Sequence, residues 1–397
     1  MTEVMSGQPG HRHGPVGGRH LARTYTTDPA AFPEPDSRQE LWRFAALPRL
    51  RPLFAGPEAD GEVRFEWSPG APVERVSMTD PRVGRVHTPF DRVGAVALTK
   101  ADSALVVSVR EEVPEPIVLT AKGTGGVAYG HLVVDVEPFA SAVVVVDHAG
   151  TGSYAANAEL RVGDGAQLTF VTLQDWDDDA IHVESQTALV GRDARLRHVA
   201  VTFGGSAVRL MPVVRFAGPG GDAELFGLYF ADAGQHVDAR LLVDHGQPHC
   251  RSRVTYKGAL QGDDARSVWT GDVLIRAAAV GTDTYELNRN LLLTDGARAD
   301  SVPNLEIETG EVAGAGHASA TGRFDDEQLF YLMARGIPAD VARRLVVRGF
   351  FADVIAAIGL PDLSERLLAR VDDELRRSIG TGDTGDAGGT EAAGGGR

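Results

Sequence analysis

The sequence predicts a mainly β protein, a β-solenoid core with helical parts at its N-terminal and C-terminal ends. Three observations predict it. Short β-branched or aromatic runs such as Val143-Val144-Val145-Val146, Leu168 to Leu173 and Val199 to Phe203 are bounded by turn residues. Gly/Asp clusters recur, each closing on an alanine next to a β run: Ala166, Ala194, Ala223, Ala265 and Ala297, spaced by 28, 29, 42 and 32 residues. After residue 324 the apolar period changes from strand-like to helical.

The recurring cluster has a physical reading. Gly and Asp make a tight turn, and a small alanine can then point into a narrow corner. A turn-strand unit at this period fits coils that stack and bury a continuous core. A β-sandwich is the alternative, but its turn signals recur about every 8–12 residues.

In chain order, residues 1–35 are rich in Gly, Pro, His and Arg and read as a disordered tail. Residues 36–61 form a helical region, with Asp36 or Ser37 as N-cap, a helix over Arg38–Ala46, and Pro48, Pro52 and Pro57 ending it. Residues 62–324 make the β core. Residues 325–378 are helical: Asp325 and Gln328 form a capping box, Leu329, Phe330, Leu332 and Met333 an apolar stripe, and Gly336 a stop. Pro338 suits the first turn of a second helix. A third starts at Asp362, with Glu365 completing its capping box. Residues 379–397 read as a second disordered tail.

Composition excludes several functions. A net charge of −16 argues against nucleic-acid or anionic-membrane binding. No apolar run approaches the roughly 18 residues of a membrane helix, and the start lacks a signal peptide's apolar region, so a cytoplasmic protein is expected. A single cysteine, Cys250, rules out an internal disulfide framework and a Cys-rich zinc site. There is no P-loop, Gly-x-Ser-x-Gly elbow, His-Glu-x-x-His pair or Cys-x-x-Cys.

Four groups could carry chemistry. His11, His13 and His20 could hold a metal, against the plainer reading of a solvated tail. Asp175, Asp177, Asp178 and Asp179 could hold a hard cation or serve a β-helix carbohydrate-active enzyme as acid and base, against a solvated turn between coils. Cys250, near His245 and His249, could be a metal ligand or a small buried hydrophobe. His317, in the Gly/Ala segment Ala313 to Ser319, could handle protons or ligate a soft metal, or be a loop histidine with no special role.

From Asp244 to Val354 the chain resembles the SufB/SufD family of the SUF iron–sulfur cluster assembly machine. The resemblance rests on Cys250-Arg251-Ser252, Ala265 to Gly271, Asn288 to Leu293, Pro303-Asn304-Leu305-Glu306-Ile307, His317 and Asp325 to Ile337, with Leu41-Trp42-Arg43-Phe44 near the start. It is closer to SufD than to SufB, because SufB-like chains carry a cysteine on the late β coils and this chain has none after Cys250. Ala315 stands where a cysteine is common in the pattern, and Ala318 where glycine is, leaving His317 the only soft donor of that segment.

The resemblance implies a right-handed parallel β-helix and a non-catalytic scaffold. It implies pairing with a SufB-like subunit through the edge near His317, and docking of a SufC-like ABC-type ATPase on Phe330, Tyr331, Arg335, Gly336 and Ile337. No cofactor is expected on the chain alone; a transient iron–sulfur cluster would form at the partner interface, with His317 as its metal contact. A homodimer in isolation is open.

Overall fold

Each ten-residue strand of the core lies between turns that send the chain back over the previous coil. The computed structural model describes residues 23–324 and 326–380. Sixteen strands form one sheet: β1 Val63–Trp67, β2 Val73–Ser77, β3 Ser103–Val109, β4 Ile117–Val136, β5 Ser141–Val162, β6 Gln167–Trp176, β7 Ile181–Val190, β8 Arg195–Thr202, β9 Ala207–Phe216, β10 Asp222–Ala231, β11 His236–His245, β12 Arg251–Leu260, β13 Arg266–Ile275, β14 Asp283–Leu292, β15 Arg298–Ile307 and β16 Gly314–Arg323. Helices α1 (Leu47–Phe54) and α2 (Arg92–Lys100) precede the coils, and α3 (Asp326–Met333), α4 (Ala339–Ile358) and α5 (Pro361–Gly380) follow.

From β5 onward all pairing is parallel, in the order β15-β13-β11-β9-β7-β5-β6-β8-β10-β12-β14-β16. Odd strands stack as one wall and even strands as the other, and long β5 bends to belong to both. This is a parallel β-solenoid of about eight turns with helical ends. Inward residues such as Leu168, Phe170, Leu225, Tyr229, Tyr256 and Trp269 fill the space between the walls.

Four of the five alanine markers are corners; Ala223 is the second residue of β10, two positions past its corner. Ala166, Ala194, Ala223 and Ala265 are fully buried and Ala297 nearly so. Ala166, Ala194 and Ala223 stand where even strands begin, Ala265 and Ala297 where odd strands begin, which accounts for the spacing of 42. Cys250 directly precedes β12 and shares the corner column of Ala166 and Ala194, given the ladder Gln167↔Arg195↔Asp222↔Arg251.

The helical parts cover the outer faces of the two walls. Trp42, Leu50, Leu53, Phe54, Phe90 and Val93 pack on outward residues of the odd wall, including Val183, Met211 and Leu242. Val347, Phe351, Val354 and Ile355 of α4, with Leu367, Val371 and Leu375 of α5, pack on Val171, Leu173, Val199, Val201, Leu228 and Phe230 of the even wall. Arg370 reaches Asp175 at 2.9 Å, and Lys257 Nζ donates to Phe350 O and Asp353 at 2.7 Å each. Among the described residues no helix is long and apolar enough to cross a membrane.

Several boundaries differ from expectation. The helix expected over Arg38–Ala46 is a single 3-10 turn at Glu40–Trp42, and the α-helix comes later, at Leu47–Phe54. Pro48 opens that helix because its missing N–H falls where no intrahelical bond is made. Residues 23–35, expected to belong to the tail, carry Arg23 to within 3.4 Å of Asp272 and over the Phe90 ring. α2 was not expected; the Asp91 carboxylate caps it by accepting from Gly94 N at 2.9 Å. The third C-terminal helix starts at Pro361, so Asp362 sits in its first turn rather than capping it. Asp325, with the side chains of Asp326 and Gln328, lies outside the described residues, and so does the capping box assigned to them. His11, His13 and His20 and residues 381–397 lie there as well.

Candidate functional site: the open end of the solenoid

At the last coil the sheet stops at two strands that each have one neighbour among the described residues. β15 pairs only with β13, and β16 only with β14, so each leaves a row of backbone groups unpaired in the sheet. Pro303 lies within β15, a position that an edge strand tolerates and a central strand does not.

His317 is on β16, not in a loop as expected. Gly and Ala are poor strand formers, and here the ladder to β14 holds them extended, in register from Asp283↔Gly314 to Leu292↔Arg323. Gly316 leaves room for the Tyr285 ring, which a Cβ there would meet at 3.3 Å. The ladder pairs Glu286 with His317, Asn288 with Ser319 and Asn290 with Thr321. Partners in a ladder project to the same face, so His317 continues an inward column of polar residues. It is exposed because no further coil covers it.

Beneath it the lumen is polar and tightly bonded. Asn290 Nδ2 donates to Asn288 Oδ1 at 2.9 Å, Asn288 Nδ2 to the Tyr229 hydroxyl at 3.1 Å, and Ser301 Oγ to Asn288 Oδ1 at 2.7 Å. Glu286 is 1% exposed, and a Cβ on facing Gly271 would lie 2.9 Å from its Oε2. Burial, reinforced by the charge of nearby Asp272, raises the Glu286 carboxyl to about 8. It is therefore largely protonated at neutral pH, directly below an exposed imidazole. Asp272 lies among Arg23 at 3.4 Å, Arg240 at 3.5 Å and Asn304, whose Nδ2 donates to it at 2.7 Å.

The residues expected to dock a partner follow β16 in the chain, on α3 and just after it. Phe330 and Tyr331 are 73% and 57% exposed on α3, and Arg335 lies over the Tyr331 ring at 4.6 Å. Gly336 adopts φ +84 and ends the helix in a Schellman motif, with Gly336 N donating to Met333 O and Ile337 N to Leu332 O. Ile337 is half-buried. In the chain this surface follows the strand that carries His317.

Other candidates resolve into structure. Asp175 pairs with Arg370, Asp178 accepts from Gln235 Nε2, and Asp179 accepts from the Thr151 hydroxyl, so these carboxylates serve separate partners at the β6–β7 turn. His245 bonds Ser252 Oγ at 2.9 Å and stacks on Phe216, while Cys250 Sγ faces the carbonyl oxygens of Gly218 and Pro248. Burial raises the Cys250 thiol above its usual range, as for a small core residue rather than a thiolate ligand.

Sequence reasoning missed Glu286. Its signal was the run Thr284, Glu286, Asn288 and Asn290, polar at every second position. Amphipathic logic would turn Tyr285 and Leu287 inward instead, yet Tyr285 is 42% exposed.

The chain is similar to known proteins. The profile described as SUF system FeS cluster assembly, SufBD core domain, matches residues 118–350. An iron-sulfur cluster assembly SufBD family protein of Mycobacterium bovis is 56% identical over 370 residues, covering 90% of this chain and 93% of that protein. A second SufBD family protein of the same organism is 27% identical over 197 residues, 50% of this chain and 23% of that longer protein. The iron-sulfur cluster assembly protein SufD of Escherichia coli is 28% identical over 220 residues, 55% of this chain and 52% of that protein. With the profile spanning the solenoid and a relative matched along almost its whole length, the chain belongs to the SufBD family of SUF-system iron–sulfur cluster assembly proteins.

Proposed function

We propose that the chain is a SufD-type, non-catalytic scaffold subunit that pairs with a SufB-like subunit through the open end of its solenoid. The observation that carries this reading is an exposed His317, stacked on buried Glu286, between two strand edges that lack neighbours. An exposed pair of edges is a template for another sheet. The exposed imidazole is then a donor to iron or a proton carrier where the cluster is built. The only thiol of the chain is buried Cys250, so a sulfur-carrying thiolate comes from the partner. The presence in M. bovis of a close relative of this chain beside a second, longer family member agrees with a pair of unequal scaffolds.

The α3 surface, with Phe330, Tyr331 and Arg335, docks a SufC-like ATPase in this reading. Aromatic and arginine side chains, exposed together, have the composition of binding hot spots. The partner then supplies the nucleotide energy that a chain without a P-loop cannot.

The test is co-expression with the SufB-like and SufC-like chains of the same genome. Ala318→Pro and Ser319→Pro are made separately, because successive N–H groups of a strand face opposite sides. The substitution whose N–H faces outward keeps the fold and loses the SufB-like partner. Undiminished co-purification of that partner by both folded variants would refute pairing through this edge.

A further inference from the structure

A second cluster lies deep in the lumen at the opposite end of the coils, where β5 bends from one wall to the other. His148 comes from β5, and His182 and Glu184 from β7. One ligand atom of each lies within 4.8 Å of the others, and all three residues are buried. Trp176, Ala156, Tyr154 and Ala180 surround them with apolar surface.

The hydrogen bonds fix which nitrogens are free. His148 Nδ1 lies 3.0 Å from Leu173 O. A carbonyl only accepts, so Nδ1 carries the proton and Nε2 keeps its lone pair. His182 Nδ1 lies 2.6 Å from Gln174 Oε1, and that amide is oriented by donating from Nε2 to Thr172 Oγ1 and by accepting from the Trp176 indole. The Trp176 indole also lies 3.2 Å from His182 Nδ1, but its single N–H is taken by Gln174 Oε1 at 3.0 Å, and the shorter 2.6 Å contact to that oxygen makes His182 Nδ1 the donor; its Nε2, fully buried, has no hydrogen-bond partner. Glu184 Oε2 lies 3.9 Å from that Nε2 and is held by Gln186 Nε2 at 2.6 Å.

We propose that His148 Nε2, His182 Nε2 and the Glu184 carboxylate form a binding site for one divalent transition ion of the Zn²⁺ type. Metal-bound histidines characteristically donate their other N–H to a carbonyl or amide oxygen, and both do here. Two imidazoles and one carboxylate suit Zn²⁺ with a fourth position left for water, whereas Ca²⁺ and Mg²⁺ require mostly oxygen donors. An ion centred in an equilateral set of this size would lie at most about 2.8 Å from each donor, so bonds of about 2.0–2.2 Å need the side chains to close by under an ångström. A site this enclosed loads as the coils close, which makes the ion a staple between β5 and β7.

The test uses the full chain, produced in zinc-supplemented medium, and separately unfolded and refolded with Zn²⁺ or Co²⁺. Metal content is read by elemental mass spectrometry and Co²⁺ geometry by its visible absorption. A variant with His11→Ala, His13→Ala and His20→Ala removes the tail histidines. The expected result is one ion per chain in the wild type and in the tail variant, with tetrahedral Co²⁺ bands. His182→Gln and Glu184→Gln, with native circular dichroism, lose the ion. Gln174→Leu, which only orients His182, weakens binding roughly 10–100-fold. Should a ligand variant not fold, the wild type and the tail variant still decide. Refolded wild type without a stoichiometric ion, or an ion that leaves with the tail histidines, would overturn the proposal.

Discussion

Glu286 and His317 are direct ladder partners between β14 and β16, one buried and one exposed on the same inward column. The buried partner has a thermodynamic signature. Its carboxyl titrates near 8 in the fold, against about 4.3 unfolded. Between those values the folded state holds a proton that the unfolded state has released, so this group's contribution to stability falls as pH rises from about 4.3 through 8. Glu286→Gln removes that loss. Denaturant unfolding should show the variant gaining on wild type as pH rises from 5 to 8, by on the order of 2–4 kcal/mol. A difference independent of pH would show that Glu286 is ionised in the fold.

Two glycines make room for two tyrosines across β10 and β12. A Cβ on Gly258 would lie 1.8 Å from the Tyr229 ring, and one on Gly227 2.0 Å from the Tyr256 ring. Neither glycine needs a positive φ, so the requirement is for space alone. Gly258→Ala should cost about 2 kcal/mol or more through overpacking. Gly246→Ala, with nothing near its added methyl, should be nearly neutral and serves as the control in the same unfolding series.

The C-terminal helices should separate stability from docking. Phe351 is fully buried between α4 and the even wall, and Phe351→Ala should cost about 3–5 kcal/mol. Phe330→Ala with Tyr331→Ala removes exposed surface and should leave the melting temperature within a few degrees. The double variant should lose the ATPase subunit in co-purification. Retention of that subunit would move the dock elsewhere.

Cys250 should behave as a corner residue. In the native chain it should resist a thiol reagent that modifies it after unfolding. Cys250→Ala, matching Ala166 and Ala194 in the same column, should fold and support cluster assembly as wild type does. A loss of cluster yield in a folded Cys250→Ala complex would give the thiol a function that its burial argues against.

Much of the core was legible in the sequence because corners demand small residues and turns demand Gly and Asp. Ala166 and Ala194 therefore marked one corner, and Ala265 and Ala297 another, before any coordinate was known. Helix α1 was hidden because Pro48 and Pro52 read as breakers, whereas one opens the helix and the other lies inside it. His317 was legible as an unusual residue, but its strand was not, since Gly and Ala carry no β signal and the ladder alone extends them. Glu286 escaped because the mouth of the lumen inverts the usual rule of apolar inside. The cluster of His148, His182 and Glu184 escaped because nothing local links His148 to the His182–Glu184 pair on β7; only the pitch of the coil superposes β5 and β7.

The central claim is that His317 acts at the interface where the cluster is built. The most direct measurement is the iron–sulfur cluster yield of the purified three-subunit complex, by absorbance and by iron and sulfide content, with wild-type chain and with His317→Ala. The expected result is a complex of unchanged composition and thermal stability with cluster yield reduced several-fold or more. A His317→Ala complex that carries the wild-type amount of cluster would contradict it.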